Sequence, residues 1–272
     1  VSEVEVGNTL RVLEIQRLFP DPRTVSVAEA AATVCDGGPA DADRPCIALN
    51  FAVTADGRIT IGGRSGPIGN EADRELFHEL RTHVDAVMAG AATVTTERYG
   101  RLVRDEARRE RRRTAGLEPD PLAIVVSARL SLDADVPLLQ DPDSHVVIVT
   151  ESELELEGVR ARVDYVRPAD APATPEELRE RSSMLALAPV MRLLRERYEL
   201  RTVLCEGGSV LAGALLREHL VDELYLCVAP ALAAGTGPTV VTGPALDPPA
   251  EMELRSVHEA GGHLFLRYRV RA

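Results

Sequence analysis

The chain is expected to form a layered α/β domain on a mainly parallel central sheet. Three observations carry that expectation. Cys46-Ile-Ala-Leu-Asn-Phe-Ala-Val53, Leu122-Ala-Ile-Val-Val-Ser127 and Val146-Val-Ile-Val-Thr150 are continuous apolar runs, the pattern of strands covered on both faces. Segments of helical periodicity lie between such runs, which favours parallel strands joined by crossovers. Turn signals such as Asp56-Gly57 and Gly207-Gly208 follow several runs.

Residues 1–44 hold a short apolar pattern, a helix-like Val25 to Val34 and a turn-rich Cys35 to Pro45. They are expected to form an N-terminal extension to a main domain at 45–272. The first strand is Cys46 to Val53, turning at Asp56-Gly57 into a second extended run, Arg58-Ile-Thr-Ile61. Asn70 caps a helix with an acid three residues on, and Ala72, Leu76, Phe77, Leu80 and Val84 give it an apolar stripe. Asp85 to Gly90 is the next strand, and Ala91 opens another helix. Arg101 to Asp120 is highly charged, and its Arg108–Arg113 run is simplest as a solvated helix face. Thr174-Pro175 with Glu176 and Glu177 starts a helix expected to break at Pro189 and run on to Tyr198. Thr202 to Cys205 is a short buried strand, followed by Glu206, two glycines and a helix with Ser209 as its cap. Val210, Leu211, Ala214 and Leu215 form that helix's apolar face. Glu223 to Pro230, a glycine-rich loop at Ala234 to Pro238 and an antiparallel strand at His263 to Val270 close the chain.

The 272 residues are 45% apolar and 27% charged, enough for a full core. A net charge of −12 argues against nucleic-acid binding. No apolar run has the length of a membrane span. Val1 to Arg11 lacks the pattern of a secretory signal, and the four cysteines lack metal spacing, so a reducing cytoplasm is expected. No G-x-G-x-x-G, Walker lysine, G-x-S-x-G or metal-spaced histidine pair occurs. No metal is expected.

Chemistry is expected beyond the carboxyl ends of the strands. Asp56-Gly57, Gly90 to Thr93, Ser127 and Glu206-Gly207-Gly208 all fall there. The glycine pair opening a helix suits an anion, because free amides point outward. A carboxylate just before it is unusual.

Thr54-Ala-Asp-Gly-Arg58, Arg64-Ser65, Glu71 to Arg81, Asp85 to Thr93 and Glu206-Gly-Gly, in this order, resemble the reductase domain of riboflavin biosynthesis over residues 45–271. The resemblance implies a three-layer dihydrofolate-reductase-like fold with a central mainly parallel mixed sheet. It implies an NADPH-dependent reduction of a phosphoribosylamino-pyrimidine, with hydride passing to ribose C1′ in its opened imine form. Asp56 and Glu206 are then the candidates for proton handling. Arg58, Ser65, Arg81 and Arg104 are substrate positions, Arg81 and Arg104 as phosphate ligands. Thr93, Glu97, Ser127, Gly207, Gly208, Ser209, Val210 and Leu211 are cofactor positions. A cleft between Arg81 and Glu206 would hold ligand. Arg98 and the Arg108–Arg113 run are further candidates for the cofactor's 2′-phosphate. A homodimer is expected through sheets or C-terminal strands.

Two departures bear on the substrate. Pro67 replaces a tryptophan, and Glu97-Arg98-Tyr99 replaces an Asp-Asp-Pro run. They keep open a reductase of dihydrofolate or another pteridine. A catalytically silent NADP-binding protein is the other alternative.

Overall fold

The computed structural model describes residues 12–39, 41–170 and 185–271. The chain enters through β1 (Glu14–Phe19), β2 (Arg23–Ser26) and α1 (Val27–Ala31). Then come β3 (Cys46–Thr54), α2 (Glu71–Thr82), β4 (Ala86–Gly90), α3 (Ala91–Thr96) and α4 (Glu106–Thr114). The middle is β5 (Leu122–Val126), α5 (Pro137–Gln140), β6 (His145–Val149) and β7 (Arg162–Val166). The last third is α6 (Leu187–Tyr198), β8 (Thr202–Cys205), α7 (Ser209–Arg217), β9 (Glu223–Ala229), β10 (Met252–Ala260) and β11 (His263–Val270).

Among the described residues these strands form one sheet in the order β2-β1-β10-β11-β9-β3-β8-β4-β5-β6-β7. From β9 to β7 every pairing is parallel, and from β9 outward to β2 every pairing is antiparallel. The expected mainly parallel mixed sheet is therefore present. Strand alternation sends Ala48, Val87 and Leu204 to one face, against Leu76 and Leu80 of α2. Ile47, Met88 and Val203 face the other way, against Leu194 of α6 and Leu215 of α7. Helices on both faces of a sheet buried on both sides give the three layers. The parallel strands bring the turns after β3, β4, β5 and β8 to one edge of the sheet.

Several local expectations change. Val25 to Val34 is not one helix: Val25 ends in β2 and only Val27–Ala31 is helical. Residues 12–31 are joined to the main sheet, because β1 pairs with β10. Arg58 to Ile61 is a loop with a single bridge from Ile61 to Arg64, because Arg58 and Ile59 turn toward Gly237 and Pro238 instead of a neighbouring strand. The helix start at Thr174 lies outside the described residues. Pro189 does not break α6; it falls in the first turn, where a missing N–H removes no intrahelical bond. Gly208, not Ser209, is the N-cap of α7, and Ser209 is its first helical residue. Asn70 caps α2 as expected, its side chain accepting from the Asp73 amide at 2.9 Å.

Candidate active site

The centre of the site is set by β8 lying beside β4. The Glu206 amide donates to the Met88 carbonyl and the Gly90 amide to the Gly207 carbonyl, which locks the turn after β8 to the end of β4. Gly207 has φ +90°, and a Cβ there would lie 3.0 Å from the Phe51 ring. A Cβ on Gly208 would lie 3.0 Å from the Thr93 hydroxyl. Both positions therefore favour glycine, for different reasons. The peptide joining them is cis. This arrangement brings Thr93 against Gly208 at the start of α7.

Glu206 is 8% exposed and faces Arg81. Arg81 Nε donates to Oε1 and Nη2 to Oε2, each at 2.7 Å, in a two-pronged ion pair. Arg81 Nη1 donates to the Leu102 carbonyl. The Phe77 ring lies 4.1 Å from the guanidinium and the Tyr99 ring 5.4 Å. Burial works against the Arg81 charge, but the Glu206 charge and hydrogen bonds outweigh it and raise its pKa. No ligand cleft separates Arg81 from Glu206: the two partners close on each other, which replaces the expected arrangement.

The open space lies beside that pair. A cleft of about 510 Å³ is lined by Ser65, Arg74, Phe77, His78, Arg81 and the stretch from Glu97 to Asp105. One face of α2 supplies Arg74, Phe77, His78 and Arg81 at helical spacing. Ser65 and Glu97 meet here, the Ser65 amide and hydroxyl both donating to Glu97 Oε1 at 2.9 Å. Arg74 and Arg104 also line the cleft, and among the described residues neither has a carboxylate within ion-pair distance. Other cations nearby are committed: Arg98 to Asp135, Arg101 to Asp120, Asp141 and Asp143, and Arg108 to Glu75 and Glu79.

Asp56 and Arg58 form a separate group in the loop after β3. Asp56 accepts from the Thr54 hydroxyl at 2.6 Å and from the Ala233 and Ala234 amides. The Thr54 hydrogen bond, followed by those amides, lowers its pKa to about 2. Arg58 Nη1 donates to the Gly237 carbonyl at 2.6 Å. Both side chains tie this loop to the glycine-rich 231–238 segment. Ser127 follows β5; its buried hydroxyl has no hydrogen-bond partner among the described residues. At the start of α7, Ser209 and Leu211 are buried and Val210 is exposed.

The Arg108–Arg113 run is committed to salt bridges and carbonyls, so it does not stand free for a 2′-phosphate. Arg109 pairs with Asp120, Arg111 with Glu79 and Arg113 with Glu106 and Glu110. Arg112 is fully buried and donates to the carbonyls of Arg81, Val84 and Glu118. Sequence reasoning missed Arg74 and His78, although the α2 spacing holds them on the Arg81 face. It also set Tyr99 aside, yet its hydroxyl donates to Glu206 Oε2 at 2.6 Å.

The sequence that builds this site matches a known family. A family model described as the RibD C-terminal domain matches residues 45–266, which include every side chain of the cleft. The chain belongs to the RibD C-terminal domain family. It is similar to a 2,5-diamino-6-ribosylamino-4(3H)-pyrimidinone 5′-phosphate reductase of Archaeoglobus fulgidus, 31% identical over 202 residues, covering 74% of this chain and 87% of the relative. A reductase of the same name from Methanothermobacter thermautotrophicus is 29% identical over 238 residues, 84% of this chain and 99% of the relative. Among solved structures, a pyrimidine reductase-like protein of Corynebacterium diphtheriae has a TM-score of 0.69 at 22% identity, covering 84% of this chain and 92% of that one, a likeness of fold. The RibD C-terminal domain match begins at Pro45, so β1, β2 and α1 lie outside the matched residues.

Proposed function

We propose that this protein is an NADPH-dependent reductase of a phosphoribosylamino-pyrimidine in riboflavin biosynthesis, passing hydride to ribose C1′. The observation that carries the reading is the cleft with unpaired Arg74 and Arg104 beside the Arg81–Glu206 pair and the Gly207-Gly208 turn. It gives a cationic pocket for a phosphorylated substrate next to a backbone turn suited to a dinucleotide phosphate. The names of the two archaeal relatives point to the same substrate class.

The cofactor supplies the hydride, and the protein has to bind, orient and keep charge in place. Thr93, Ser127 and residues 207–211 would hold the cofactor, with Glu97 bridging to it through Ser65. The orphaned Ser127 hydroxyl fits a cofactor hydroxyl or phosphate as its missing partner. Arg104 would hold the 5′-phosphate, with Arg74 beside it. Arg81 acts on Glu206 in place of the phosphate. Glu206 would accept a substrate hydroxyl, because among the described residues Oε1 carries only the one Arg81 hydrogen bond. Asp56, held as an anion, would shape the ribose end through the 231–238 loop, and Arg58 would steady that loop.

The reductase domain is assigned to residues 45–272. A homodimer would form through an apolar sheet face described below. No helix among the described residues is long and apolar enough to cross a membrane, and all four cysteines are buried free thiols, which supports a reducing cytoplasm. Absorbance at the reduced nicotinamide band tests the function. Decay on adding the pyrimidine phosphate is expected; tight NADPH binding without decay would remove the substrate assignment. Turnover of dihydrofolate in its place would establish the pteridine alternative.

A further inference from the structure

Tyr99 stands where the family resemblance leads one to expect proline, and the structure gives that substitution a use. The chain leaves α3 through Arg98, whose φ of +51° reverses the backbone. Arg98 is held there by Asp135, through Nη1 to Oδ2 at 3.0 Å and Nη2 to the backbone carbonyl. The Tyr99 backbone is pinned on both sides: its amide donates to the Val94 carbonyl and its carbonyl accepts from the Leu138 amide. A phenol on a fixed backbone has few rotamers, so its hydroxyl is aimed in advance.

It is aimed at Glu206. The hydroxyl donates to Oε2 at 2.6 Å, the oxygen that also accepts from Arg81 Nη2. Burial, and then the Glu206 charge, raise the Tyr99 pKa well above its ordinary value, so at neutral pH the phenol keeps the proton it donates. Oε2 thus has two donors and Oε1 has one, from Arg81 Nε. The carboxylate can neither rotate nor flip without breaking a charge-assisted bond. Its less occupied oxygen is left in a defined direction.

We propose that Tyr99 is a positioning residue that fixes the Glu206 carboxylate plane and leaves Oε1 as the acceptor for substrate. This rests on the reductase reading for the identity of the substrate, but not for the orientation itself. The same hydroxyl, aimed by Arg98 and Asp135, connects the tip of the 97–105 stretch to the end of β8.

The test uses Y99F, which removes one oxygen, alongside E206Q and the double variant. Y99F should lower kcat/KM by about tenfold, the size of one hydrogen bond to a charged group, with the NADPH dissociation constant unchanged. In the E206Q background the same change should cost less than about twofold, in turnover or in the calorimetric dissociation constant of the reduced product. Equal losses in both backgrounds would overturn the proposal, since a merely structural tyrosine acts alike in both. Y99M carries the same expectations if Y99F fails to fold. A crystal structure of the variant decides the orientation without substrate: the Glu206 carboxylate should be rotated or split, and an unmoved plane overturns the role. Wild-type protein that leaves the pyrimidine phosphate unreduced would sink the functional reading alone.

Discussion

Arg104 and Arg81, both lining the cleft, should fail in different ways when removed. Arg104 is exposed and unpaired, so R104A should raise KM for the phosphorylated substrate by about tenfold or more with little change in kcat or melting temperature. Arg81 is buried against Glu206, and R81A leaves a buried carboxylate whose remaining side-chain donor among the described residues is Tyr99. That should cost about 3–5 kcal/mol of stability, read as a fall in melting temperature, and E206Q in the same chain should recover part of it. Steady-state kinetics and thermal melts on the variants check both; a selective KM effect in R81A would reverse the assignment. Asp56 makes a prediction in pH. Its pKa falls from 3.8 to about 2, because the anion accepts from Thr54, Ala233 and Ala234. The folded state therefore binds this proton less readily than the unfolded chain. Its stabilisation is present above pH 3.8 and is lost as pH falls through about 2. Hydrogen-exchange protection factors at the Ala233 and Ala234 amides, taken against the intrinsic rate at each pH, should be high at pH 5 and fall toward pH 2, and D56N should lower them throughout.

At the scale of elements, the strand–turn–helix around Glu206 was legible in the sequence because its signals are local. A β-branched run, two glycines and an apolar helical stripe each act within a few residues. The pairing of Glu206 with Arg81 was not, because the two lie 125 residues apart and meet only once β8 inserts between β3 and β4. Arg112 was misplaced on a solvated face for a related reason. Its charge predicts exposure, but the carbonyls of Arg81, Val84 and Glu118 solvate it inside the protein, and burial lowers its pKa to about 10. The sequence favours Ser209 as the cap because Gly208, at φ −72°, offers no side chain to identify it. The two glycines give a graded prediction. G208A meets one hydroxyl and keeps an allowed backbone, so T93A should relieve it. G207A meets both a φ of +90° and the Phe51 ring, and no single partner substitution should relieve it. NADPH affinity and melting temperature of the four proteins decide this; rescue of G207A by a smaller residue at position 51 would show that contact, not backbone, governs that site.

At the scale of the whole molecule, the parallel half of the sheet is covered on both faces, and among the described residues the antiparallel half is not. Register places Leu254 opposite Tyr268, Met252 opposite Val270, Leu264 opposite Val228 and Leu266 opposite Leu226, all on one face of β9, β10 and β11. Met252, Leu254 and Leu264 remain 45%, 37% and 38% exposed, with Phe19 of β1 opposite Val257 on the same face at 42%. Leu226, Leu266 and Tyr268 are half-buried among them. This largely apolar sheet face, which also carries Glu259 opposite Leu264, is a surface for association. Under the proposed homodimer this is the face by which two copies would pair about a two-fold axis, strand facing strand. The sequence pattern hinted at this only weakly, because Leu264, Leu266, Tyr268 and Val270 read equally well as the inner side of a strand. Sedimentation equilibrium should give twice the 29.4 kDa chain mass. L254E with L264E places two carboxylates in the centre of the patch, where desolvation and like-charge repulsion across the axis oppose pairing. That double variant should sediment as a monomer with its circular dichroism unchanged, because neither position contributes to the buried core. A wild-type monomer, or a double variant that stays dimeric, would exclude this face as the interface.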